Sequence, residues 1–200
     1  MSRPLRTIQS VCVYCGSRKG TAPEYVDAAC RLGTELASRG IRLIYGGGSV
    51  GLMGAVADAV LAANGQVTGV IPEFLATREL LHPGIADMRI VESMHVRKAL
   101  MTELCDAFIA LPGGYGTYEE LLETITWAQL GLHAKPIGLL NTRGFYEPLV
   151  RCVDHSIEAG FIKANQKALL FLDEDPARLL DRLSIHELPE VRSWLNPDQI

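Results

Sequence analysis

At 200 residues the chain has the length of one ordinary domain, enough to bury a full sheet between two helical layers. Hydrophobic residues make up 48% and charged residues 21%, a balance that excludes a largely disordered chain, and the formal net charge of -4 removes the electrostatic reason to expect nucleic acid as a partner. No apolar run reaches the length of a membrane span and the opening MSRPLRTIQS has no apolar signal core, so the expectation is a cytoplasmic protein with no membrane partner.

The first β-type run is Ile8 to Tyr14, followed by an amphipathic helix from about Pro23 to Arg39 that Gly40 stops. Cys12 and Cys15 form a CxxC, but strand residues three apart face opposite ways, so two packed thiols are expected. The five cysteines have no framework spacing and suit a reducing compartment. Ile41 to Tyr45 is a second strand, and Gly46 to Gly51 turns into a helix that ends near Asn64. A third strand, Val67 to Ile71, precedes a loop over Thr77 to Gly84. A short strand, Met88 to Val91, then leads into a helix capped by Ser93. The buried run Ala107 to Leu111 opens, through GGYGT, into the helix of Trp127. Pro136 to Leu140 and a helix over Glu147 to Ala159 complete the pattern.

Strands alternating with helices predict an α/β fold, a Rossmann-like three-layer α/β/α sandwich with a mainly parallel sheet. Residues 1–200 are expected to form a single nucleotide-binding domain, with the tail from about residue 165 packing on the surface. Ligands of such sheets bind at the carboxyl ends of the strands, and two glycine loops fall there.

The first, Gly46-Gly47-Gly48-Ser49-Val50-Gly51, offers bare amides and a helix dipole to a phosphate. It also satisfies GxGxxG, with Glu73 as a possible ribose ligand of a dinucleotide, although it follows the second strand and not the first. The competing structural reading is close packing of strand on helix. The second loop, Pro112-Gly113-Gly114-Tyr115-Gly116-Thr117-Tyr118-Glu119-Glu120, is the more specific signal. Thr117 is expected to cap the helix, with Glu120 three residues on as the acid of a capping box. A carboxylate held by backbone amides stays ionised and could stabilise charge at an anomeric carbon, so cap and catalyst are compatible readings.

Ser93-Met94-His95-Val96-Arg97-Lys98 places three basic side chains at a helix start, where the dipole disfavours them. Either an anion compensates, with Arg97 and Lys98 binding phosphate, or the residues form surface ion pairs with Glu92 and Glu103. His82, His133 and His155 show no zinc-ligand spacing, so no metal is expected.

YGGGSVGLMG at Tyr45 to Gly54, MHVRK at Met94 to Lys98, PGGYGTYEE at Pro112 to Glu120 and TWAQLGLHAKP at Thr126 to Pro136 together resemble the LOG (Lonely Guy) family, over roughly Ile8 to Lys163. The resemblance implies a cytokinin riboside 5′-monophosphate phosphoribohydrolase that needs no cofactor. Water would cleave AMP or an N6-substituted AMP into free base and ribose 5-phosphate. Carried over by residue, the catalytic pair falls on Arg97 and Glu120, and the substrate contacts on Glu79, Lys98, Gly114 to Thr117 and Thr126. It also implies a homodimer with sites drawing on both chains. Val96 and Tyr118 depart from the family pattern, beside the arginine and near the base pocket respectively. Two other readings remain open at this level: a non-catalytic nucleotide sensor or carrier, and an NAD(P)-dependent dehydrogenase. A lysine decarboxylase, a label some relatives carry, is disfavoured because no pyridoxal-phosphate site is recognisable.

Overall fold

The computed structural model describes residues 6–76 and 80–190. Its centre is a seven-stranded sheet in the order β4-β3-β2-β1-β5-β6-β7. The strands are β1 (Ser10–Tyr14), β2 (Arg42–Tyr45), β3 (Val67–Pro72), β4 (Asp87–Val91), β5 (Ala107–Ala110), β6 (Ile137–Leu140) and β7 (Leu170–Asp173). Every pairing is parallel, with Val11 of β1 opposite Leu43 of β2 on one side and Ala107 of β5 on the other.

Parallel strands covered on both faces must be apolar on both faces, which is why β1 reads SVCVY. Val11 and Val13 join the core beneath α1 (Pro23–Ser38) and α2 (Gly51–Ala62). Cys12 and Tyr14 point into the opposite core, which also holds Met101 of α3 (Met94–Leu104) and Leu121 of α4 (Tyr115–Leu130), with Leu149 of α5 (Glu147–Glu158) packed against it. The three expected layers are therefore present. Gly33 shows how tightly the first layer packs, since a β-carbon there would lie 2.6 Å from the Val56 carbonyl oxygen of α2.

Residues 170–185 correct the expectation of a surface-packed tail, while residues 191–200 of that tail lie outside the described residues. Leu170–Asp173 is a strand of the sheet, paired with β6 through Ile137↔Leu170 and Leu140↔Asp173. After it, α6 (Pro176–Ile185) buries Leu179, Leu180 and Leu183 in the same core as α1.

The chain runs outward from β1 to β4 and then returns to place β5 on the free side of β1. The loops after β1 and β5 therefore part at the carboxyl end of the sheet and leave a crevice between them. A cavity of about 530 Å³ opens there.

Candidate active site

The residue before α3 sets the geometry of the basic cluster. Ser93 caps the helix as expected, its hydroxyl accepting from the Val96 amide at 3.3 Å. Helical spacing then turns His95 outward and buries Arg97 and Lys98 against α4. Neither cation pairs with Glu92 or Glu103. The Arg97 guanidinium lies 3.0 Å from Glu120 Oε1, and the Lys98 ammonium lies 2.5 Å from Glu119 and 2.8 Å from Glu123.

Arg97 and Glu120 are each 8% exposed. A buried ion pair is costly to desolvate, so its presence is weak evidence for stability and better evidence for a task. Arg97 Nε has no hydrogen-bond partner and its Nη1 meets only the Met94 sulfur at 3.7 Å, so the guanidinium keeps unused donors. Burial pushes the Glu120 carboxyl above the ordinary range, and the Arg97 guanidinium opposes that shift. Burial works against the Lys98 ammonium too, but its bonds to Glu119 and Glu123 hold it above the usual lysine value.

The second glycine loop is arranged differently from the capping-box expectation. The helix begins at Tyr115 with Gly114 at its N-cap, so Thr117 and Glu120 lie inside α4 and no side chain caps it. Thr117 is buried and packs on Gly113, where an added β-carbon would come 2.1 Å from the Thr117 hydroxyl oxygen. The first turn of α4 carries no acid, and its amides are open to an anion. Tyr115 is 95% exposed at the mouth. Tyr118 stacks on Phe145, with ring centroids 6.3 Å apart.

The first glycine loop is less open. The Ser49 amide donates to the Leu80 carbonyl at 2.9 Å, and Gly48 forms an antiparallel bridge with Leu81. Gly46 has another role: a β-carbon there would sit 2.3 Å from Arg97 Nη2. The loop thus makes room for the arginine, while Gly47 and Gly48 pack on Met88 and Met53.

Thr126 lies six residues beyond Glu120 on the exposed side of α4, its hydroxyl bonded to the Leu122 carbonyl. Glu79 lies outside the described residues. Among the described residues no cluster of three or more His, Cys, Asp or Glu could hold a metal ion.

Sequence reasoning passed over the loop after β1, CGSRKG at residues 15–20. It forms one wall of the cavity, and the Gly16 amide donates to the Pro112 carbonyl at 3.1 Å. The available signal was a glycine pair flanking two cations at the carboxyl end of the first strand.

Comparison with known proteins bears on the family and the fold. A family model described as "Possible lysine decarboxylase" matches residues 53–183. The cytokinin riboside 5′-monophosphate phosphoribohydrolase LOG of Oryza sativa subsp. japonica is 54% identical over 160 residues, covering 80% of this chain and 66% of that protein. The phosphoribohydrolase LOG1 of Arabidopsis thaliana is 50% identical over 189 residues, covering 92% of this chain and 89% of its own length. Among solved structures, the molybdenum cofactor carrier protein of Chlamydomonas reinhardtii shares the fold, with a TM-score of 0.67 at 21% identity over 88% of this chain and 98% of that one. At half its residues identical to LOG1 over nearly all of that protein, and with the family model matching most of its length, the chain belongs to the LOG family.

Proposed function

We propose that the protein hydrolyses the N-glycosidic bond of adenosine 5′-monophosphate, or of an N6-substituted AMP such as a cytokinin precursor, releasing the base and ribose 5-phosphate. The observation that carries this reading is the buried Arg97/Glu120 pair beside the uncapped start of α4. In this reading the open amides from Gly114 to Thr117 take the 5′-phosphate, with Gly113 and the Thr117 hydroxyl beside them.

The bond to be broken joins the anomeric carbon to a purine nitrogen, and positive charge grows on the sugar as it lengthens. Glu120 stabilises that charge and accepts a proton from the attacking water, whose oxygen bonds to the anomeric carbon while the purine nitrogen leaves with the bonding pair and takes up a proton from solvent. A carboxyl whose affinity for protons is raised by burial is the better base for that step. Arg97 keeps Glu120 in place and offers its free Nε–H to the electron-rich side of the reacting nucleotide. Lys98 is held by Glu119 and Glu123 and braces α3 on α4. An amine locked as an ammonium ion is poorly suited to Schiff-base chemistry, so the relatives' hydrolase names fit this site better than the decarboxylase description.

We further propose a homodimer. Thr126 and Leu122 share the exposed side of α4, away from their own Glu120, which supports their facing the site of a second copy. Five free cysteines, three of them buried, support a reducing compartment and with it the cytoplasm.

Purified protein incubated with AMP and with isopentenyl-AMP should release base and ribose 5-phosphate in equal amounts. Glu120→Gln should lower kcat by about a hundredfold or more and leave nucleotide binding largely intact. Binding without turnover in the unaltered protein would favour the carrier reading, and full activity in the variant would remove Glu120 from the chemistry.

A further inference from the structure

We propose that the loop between β1 and α1, residues 16–20, is the second jaw of the phosphate site, and that Arg18 and Lys19 are substrate-binding cations. Only the identity of the phosphorylated ligand rests on the hydrolase reading above; the jaw itself follows from the cavity.

The cavity lies where the strand order reverses, and its two polar walls come from different loops. One wall is Gly113 and Gly114, leading into the uncapped first turn of α4. The facing wall carries Arg18 and Lys19. Both are exposed and neither makes an ion pair among the described residues; Arg42, Lys135 and Lys163 are unpaired there too, but only Arg18 and Lys19 of these line the cavity. In a chain of formal net charge -4, two adjacent cations left without acids on the wall of a cavity mark a place for an anion. The opposite wall already supplies amide donors for one, so a phosphoryl group between the two is bound from both sides.

Three contacts fix the jaw in place. At its base Gly16 touches the other loop, where a β-carbon would lie 3.2 Å from the Gly113 α-carbon. Behind it Gly51, at a φ of +64°, brings the start of α2 so close that a β-carbon would fall 2.2 Å from the Ser17 carbonyl carbon. Beside it Tyr25 and Phe145 line the cavity and meet edge to face, with centroids 6.1 Å apart. These half-buried rings line one side of the cavity, beside the exposed Arg18 and Lys19. The ligand class is a sugar 5-phosphate or nucleoside 5′-monophosphate, with the phosphoryl group shared between the jaws.

The test is the double variant Arg18→Gln/Lys19→Gln, compared with Arg151→Gln/Lys163→Gln, which removes the same charge from exposed positions away from the cavity. Kinetics with AMP, and calorimetry with ribose 5-phosphate and with adenosine, are the readouts. The first variant should raise KM for AMP and Kd for ribose 5-phosphate by about tenfold or more, with most of the loss in KM and little change for adenosine. The second should stay within about twofold of the unaltered protein. The jaw is overturned if the two double variants behave alike, or if the first keeps its affinity for ribose 5-phosphate. If the unaltered protein binds ribose 5-phosphate, the first variant loses that affinity and neither releases adenine, the jaw stands and the hydrolase reading falls. If adenine is released with an unchanged KM in the first variant, the jaw alone falls.

Discussion

Gly46 and Arg97 are matched across two elements: the space where a β-carbon at 46 would sit is within 2.3 Å of the arginine's Nη2, and that arginine is held by Glu120. The φ of Gly46 is not positive, so its backbone would accept alanine and only the space forbids it. Arginine is the movable partner, being the far end of a flexible side chain. Gly46→Ala should therefore leave the fold almost as stable, changing unfolding free energy by less than about 1 kcal/mol. It should also displace the guanidinium from Glu120 and lower kcat/KM by at least about tenfold, near 1.4 kcal/mol of transition-state binding. Urea unfolding beside steady-state kinetics separates the two effects, and a variant with normal kinetics would mean that the pair tolerates displacement.

Lys98 governs the same carboxyl through charge. Glu120 is faced by Arg97 and Lys98 from α3 and by Glu119 and Glu123 from α4, and it interacts with Cys12, Tyr14 and Cys15 of the β1 side. Burial pushes those thiols and the phenol up, so they remain neutral near neutral pH. Lys98→Met removes a charge that lowers the Glu120 pKa and leaves two neighbouring carboxylates without their cation, so the pKa rises further. A base must be ionised to act, and activity is lost as pH falls through that value. The acidic limb of the kcat profile should move to higher pH, with activity recovering as pH rises. A rise in KM with an unmoved profile would make Lys98 a plain phosphate contact.

The layered fold and the strand ends were legible because fully buried parallel strands are continuous apolar runs, and glycine marks where they turn. The basic residues at 97 and 98 were legible as an anomaly at a helix start. What the sequence could not supply is which acids they meet, since residues 97 and 120 come together only through the packing of α3 on α4. The capping reading of Glu120 rested on placing the cap at Thr117; Gly114 serves instead, and that shift turns Glu120 from a cap into a buried partner of Arg97. The β1 loop escaped notice because its amides and cations act with residues nearly a hundred positions later. Strand β7 was missed because LFLD is too short to show a period.

The last helix offers a measure of how far that region belongs to the core. Leu179 is fully buried, and its side chain lies 3.0 Å from where a β-carbon on Gly138 of β6 would stand. Leu179→Ala should cost about 2–5 kcal/mol by urea unfolding, the range for deleting a core leucine. A tail resting loosely on the surface would lose less than about 1 kcal/mol, so this one substitution distinguishes a built-in seventh strand and sixth helix from an appendage.

His133 ties the end of α4 to the turn before β6, and it does so only when neutral. Its Nε2–H donates to the Thr124 carbonyl at 3.0 Å, while Nδ1 accepts from the Lys135 amide at 3.2 Å. A second proton would occupy Nδ1 and turn that acceptor against a donor. Burial lowers the pKa from the usual 6.5 to about 4. The unfolded chain thus takes up a proton at pH values where the folded chain does not, and stability falls as pH drops from about 6.5 to about 4. At about 1.4 kcal/mol per pH unit the loss is at most about 3.5 kcal/mol, an upper figure because the ring is partly exposed. His133→Gln, which can keep one donor and one acceptor, should flatten the dependence of unfolding free energy on pH across this window. An equally steep dependence in the variant would assign the acid sensitivity to other groups, such as Asp173, whose pKa is held down by Arg178 and which loses its contribution only at lower pH.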